Sequence, residues 1–112
     1  MKRYLFLLVL MLLHSPNLFA FSGNELLDDL DSCNSQLDSA QIAYDCGKGD
    51  GYVFGLMNAF QLSGAICHPE TVTFRQGIDV AINYLRAHPE VRQEPAAILI
   101  RDALQKAWPR CD

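Results

Sequence analysis

The chain has 112 residues, half of them apolar and a fifth charged, with four cysteines and a formal net charge of -4. A chain of this length makes one domain, and its apolar content is too high for a disordered segment. Its acidic balance excludes a nucleic-acid binder, which must neutralise phosphates with Lys and Arg.

The N-terminus reads as an address. Lys2 and Arg3 precede an uninterrupted apolar run from Leu5 to Leu13, followed by His14, Ser15, Pro16 and Asn17 and then the small residue Ala20. This is the layout of a secretory leader, and the run is far shorter than the roughly 20 residues a membrane-spanning helix needs. Cleavage is expected after Ala20, giving a signal peptide over 1–20 and a single exported domain over 21–112 that makes no use of the membrane. Residues 21–50 carry seven acids and one base, and residues 51–112 carry six of each. The acidity therefore sits at the start of the domain, where it reads as a solvated face.

All four cysteines, Cys33, Cys46, Cys67 and Cys111, lie in the exported part. Zinc sites place cysteines two to four residues apart, and no such pair occurs here. An even count in a small exported chain reads instead as two disulfides. Three connectivities are possible. The preferred one joins Cys33 to Cys46 across a short helix–helix connection and Cys67 to Cys111 at the chain terminus. Each bridge would contribute about 3 to 4 kcal/mol in the chain-entropy picture.

Helical signals dominate the remainder. Ser22 and Glu25 form a capping box, and Leu26, Leu30, Cys33 and Leu37 recur at helical spacing, which predicts a first helix over about 24–36 with Asp28, Asp29 and Asp31 turned outward. Cys46 to Gly51 holds three glycines in six residues and reads as a flexible loop. It lacks the preceding strand and Gly-Lys-Ser/Thr of a phosphate cradle and the alternating oxygen ligands of a calcium site. Tyr52 to Ala65 is apolar on most sides, the pattern of a central buried helix. Gly55 is expected to admit a neighbouring helix, and Gly64 to end this one. Thr73 and Gln76 form a second capping box, and Ile78, Ala81, Ile82 and Leu85 make a stripe ending near His88-Pro89. A fourth helix opens near Pro95, with Ala96, Leu99, Ile100, Ala103, Leu104 and Ala107 on one face, and Pro109 closes it. The fold class is all-α, a compact domain of about four helices stapled by two disulfides.

No catalytic constellation emerges. His68 and His88 both sit beside proline in connectors, Ser63 lacks the strand-to-helix elbow of a hydrolase nucleophile, and the carboxylates form no acid/base pair. No enzyme activity, metal or cofactor is expected.

Residues Gly51-Tyr52-Val53-Phe54-Gly55, Cys67-His68-Pro69, Val72-Thr73, Gln76, His88-Pro89-Glu90, Arg92, Trp108-Pro109 and Cys111, in that order, resemble the Rap/Tai family of type VI secretion immunity proteins. The resemblance implies a periplasmic, mostly helical protein, often a homodimer. Such a protein occludes the active-site groove of a cognate effector, typically a peptidoglycan amidase. A concave toxin site calls for a projecting segment, and the best candidate is His88 to Glu94, with His88, Glu90, Arg92, Gln93 and Glu94 as partner-binding candidates. The Gly47 to Asp50 segment is the second. The alternative from another class is a small periplasmic chaperone that binds unfolded clients.

Overall fold

The computed structural model describes Tyr4 and residues 21–112. The expected leader over 1–20, Tyr4 apart, lies outside the described residues. Ser22 opens helix α1 (Gly23–Ser32): its Oγ accepts from the Glu25 amide at 3.3 Å, while the Glu25 carboxylate accepts from the Ser22 amide at 2.7 Å. Thr73 opens α3 (Phe74–Ala87) in the same way, its hydroxyl accepting from the Gln76 amide. Between them lies α2 (Ala40–Leu62), and α4 (Ala96–Ala107) follows a short 3-10 turn at Pro89–Val91. The four helices converge on one core. Leu26, Leu27 and Leu30 come from α1, Val53 and Met57 from α2, Ile78, Ala81 and Leu85 from α3, and Ala96, Leu99, Ile100 and Leu104 from α4, with Ile66 sealing one end. Each fully buried Leu or Ile contributes about 1.5–3 kcal/mol.

The disulfides are Cys33–Cys46 and Cys67–Cys111, with Cα atoms 4.8 and 4.9 Å apart. The first ties the end of α1 to α2. The second ties the segment after α2 to the chain terminus, where the Cys111 amide also donates to the Gly64 carbonyl at 3.3 Å. Among the described residues, no helix is long and apolar enough to cross a membrane.

The structure corrects five expectations. Cys46 to Gly51 is not a loop: α2 begins at Ala40 and runs straight through it. Ser39 caps the helix, its Oγ accepting from the Ile42 amide at 3.2 Å. Gly49 is the packing point. A Cβ there would stand 3.0 Å from Asp29 Cβ and 3.1 Å from the Leu30 nitrogen, so only glycine lets α1 and α2 approach this closely. Gly55, by contrast, faces open space. Helix α1 ends at Ser32, short of the expected 36, and Leu37 lies beyond it, exposed. Asp29 is buried rather than turned outward, its carboxylate 3.2 Å from Lys48 Nζ on α2. That contact raises the Lys48 pKa, the hydrogen bond to Asp29 being the main cause. Helix α2 is also less central than its composition suggests, since Tyr44, Phe54 and Leu62 project into solvent. The C-terminal stop is as expected: Ser63 caps α2 and Gly64 adopts φ 74°, the left-handed conformation that glycine takes without strain.

Candidate functional site

The five candidate side chains sit on one connector between α3 and α4, and the start of the domain holds its backbone over residues 92–96. The Gly23 amide donates to the Glu94 carbonyl at 3.0 Å and the Asn24 amide to the Arg92 carbonyl at 2.9 Å. Ser22 pairs with Pro95 in an isolated antiparallel bridge, and the Ala96 amide donates to the Phe21 carbonyl at 2.9 Å. The Gly23 and Asn24 bonds use the first amides of α1 and the Ala96 bond the first of α4, none of which has a partner within its own helix. The connector is therefore a fixed ridge, and Glu90, Gln93 and Glu94 are exposed on it.

His88 caps α3, its amide donating to the Tyr84 carbonyl at 3.1 Å. Its ring lies 4.4 Å from the Tyr84 ring, tilted by 41°, and its Nδ1 faces the Glu90 carboxylate at 3.0 Å. Glu90 is held below the usual carboxylate range, first by its own backbone amide and then by His88. Arg92 is half-buried, with Nε enclosed and without a hydrogen-bond partner.

The ridge runs into an apolar groove of about 310 Å³ between α3 and α4. Val80, Asn83, Tyr84, Ala87 and His88 form one wall, and Ala103, Lys106 and Ala107 the other. Of these, the sequence reading singles out only His88 as a candidate. The available signal was a second apolar face on α3: Val80, Tyr84 and Ala87 recur at helical spacing beside the buried Ile78, Ala81 and Leu85. Tyr84 is pushed above the usual phenol range by burial and then by the charges of Asp102, Glu90 and Glu94.

The other clusters are structural. Cys33, Cys46 and Asp50 lie within 4.8 Å of one another, but both sulfurs are committed to a disulfide. His68 packs edge-on against Trp108. The Gly47 to Asp50 segment, being helical, offers no loop.

A family model described as Rap1a immunity proteins matches residues 22–111. The chain belongs to the Rap1a immunity protein family. No curated protein matches it. The matched span opens at Ser22, the residue that pairs with Pro95, and closes at Cys111, the last disulfide partner. The Rap1a-family domain thus coincides with the unit that is structurally closed on itself.

Protonating Glu90 should loosen the end of α3. A carboxyl whose pKa is lowered on folding stabilises the fold above its unfolded value of 4.5, and that contribution fades as pH falls through the folded value. A Glu90→Gln variant should therefore melt below the wild type at neutral pH, and the gap should narrow as the pH is taken below 4.5. Thermal melts across that range would show it; a gap independent of pH would contradict it.

Proposed function

We propose that this immunity protein acts in the periplasm, where it binds one peptidoglycan amidase delivered by type VI secretion and occludes its active-site groove. It performs no chemistry itself. The observation that carries the reading is the family match over nearly the whole exported domain. The ridge supports it physically. A preordered, hydrogen-bonded surface limits the ordering cost of association, and self-protection from a lethal enzyme needs tight, specific binding. Glu90, Gln93 and Glu94 would meet the toxin, with Arg92 as the central anchor. The reading includes a homodimer, for which the exposed side of α2, with Tyr44 64% and Leu62 89% accessible, is an available face.

The test is capture of partners by the full chain, expressed with its own leader and a C-terminal tag. The fractions screened are the periplasm and the secreted proteins of its own strain and close relatives. One stoichiometric cell-wall hydrolase is the expected partner, and the double change Glu90→Ala/Arg92→Ala should weaken its binding by about 10- to 100-fold. Many unrelated clients would favour a chaperone, and no partner at all would also overturn the immunity reading.

A further inference from the structure

The two disulfides meet different surroundings. Cys33 and Cys46 are half-buried, at the end of α1 and within α2. Asp50 stands one turn beyond Cys46 on α2, so the helix itself holds the carboxylate beside the bridge, with Oδ1 3.7 Å from Cys33 Sγ. Among the described residues no cation pairs with Asp50, and the nearby Lys48 is engaged with Asp29 and Asp45 at 3.2 and 3.8 Å. Cys67 and Cys111 are both exposed, each beyond the end of a helix. Cys111 Sγ faces a neutral group, the Ile66 carbonyl, at 3.5 Å. Arg110 and Asp112 flank it in sequence with opposite charges.

A disulfide is opened by a thiolate that attacks one sulfur. A new S–S bond forms there, and the electron pair of the old one leaves on the other sulfur as a thiolate. The second thiol of a dithiol then displaces the protein sulfur, so that the dithiol is oxidised and both cysteines are reduced. At Cys33–Cys46 each direction of attack brings negative charge towards Asp50. Attack on Cys46 leaves a thiolate on Cys33 Sγ, 3.7 Å from the carboxylate. Attack on Cys33 carries the incoming anion to that same sulfur. Like charge disfavours both transition states. At Cys67–Cys111 the flanking charges cancel, and exposure favours access.

We infer that Asp50 protects Cys33–Cys46 from thiols and leaves Cys67–Cys111 as the bridge that a dithiol opens first, a redox switch at the chain terminus. Opening it frees the tail after Trp108 from its covalent tie beside Gly64 and Ile66, while Cys33–Cys46 keeps α1 on α2. Reoxidation of the same pair closes the tail again. Asp50 is a positioning residue here: it directs where exchange occurs and takes no part in the exchange itself. The inference stands apart from the immunity reading and holds whichever partner the protein binds.

The oxidised protein, expressed with its own leader and without a C-terminal tag, is exposed to dithiothreitol. Free thiols are trapped with iodoacetamide at intervals, and each cysteine is read by peptide mass spectrometry. Cys67 and Cys111 should be labelled about tenfold faster than Cys33 and Cys46, or more. The charge of the attacking thiol then separates the carboxylate from simple burial. Replacing anionic 2-mercaptoethanesulfonate by cationic cysteamine should speed opening of Cys33–Cys46 about fivefold more than that of Cys67–Cys111 in the same chain. This preference should shrink in about 1 M salt, where screening acts within about 3 Å. Asp50→Asn should remove the preference and open Cys33–Cys46 about tenfold faster, with Cys67–Cys111 unchanged. Equal rates at the two bridges, or Cys33–Cys46 opening first, would overturn the assignment. So would the same thiol preference at both bridges, which the wild type alone reveals, or an Asp50→Asn chain that keeps the wild-type preference, which would leave Asp50 a packing residue.

Discussion

Replacing Cys67 and Cys111 together by serine should cost about 4 kcal/mol of folding stability. The bridge closes a loop of 44 residues, and the chain-entropy relation gives about 4 kcal/mol for that length, against about 3 for the 13-residue loop of Cys33–Cys46. Local geometry adds to the effect. The terminal segment is otherwise held by few bonds: the Cys111 amide on the Gly64 carbonyl, and the Gln105 side chain on the Ala65 carbonyl at 3.0 Å. Freed, the tail would expose Ile66, which is fully buried beside Cys67. Urea titrations of the two double-serine variants provide the check, with the midpoint falling further for Cys67/Cys111 than for Cys33/Cys46 at similar slope. The reverse order would mean that the tail is not anchored as described.

The glycines of α2 should divide into two opposite classes. Gly49→Ala should destabilise by about 1–3 kcal/mol, because its new methyl meets backbone atoms of α1 that no rotamer change can move. Gly47, Gly51 and Gly55 are exposed, with nothing within 4 Å of an added Cβ. Alanine at each should stabilise by about 0.5–1 kcal/mol, since glycine inside a helix carries an entropic cost with no packing return here. The triple variant Gly47→Ala/Gly51→Ala/Gly55→Ala should therefore raise the midpoint while Gly49→Ala lowers it. Equal effects at all four positions would mean that α1 does not press on Gly49.

That contrast shows where the sequence was legible and where it was not. Both capping boxes, the stripes of α3 and α4 and the stop at Gly64 were readable, because each is a local pattern with a local cause, and the preferred one of the three disulfide connectivities is the one formed. The first half of α2 was not. Three glycines in six residues have a low helix propensity, and the compensation is tertiary: Gly49 fits against Asp29 and Leu30, Lys48 reaches Asp29, and Cys46 is bonded to Cys33. None of these partners lies within a helical turn of the glycines. Asp29 was misplaced for the same reason, since its cation is on another helix. At the candidate site, the connector and its charged residues were visible. The groove was not, because it is made by two helices together and only the face of α3 that borders it carried a signal.

The clasp between the start and the far connector of the domain also bears on the order of folding. A chain made N-terminus first presents α1 before residues 92–96 have arrived. The amides of Gly23 and Asn24 then have no acceptors, and Phe21 has no Ala96 to receive. The contacts between α1 and α2, including Cys33–Cys46, are close in sequence and can form early. The clasp joins segments separated by most of the domain, and its loop-closure entropy is met only near the end. The ridge is thus assembled last, in the same step that encloses the core. Changes at Arg92 to Pro95 should act mainly on the rate of unfolding, leaving the rate of folding nearly untouched.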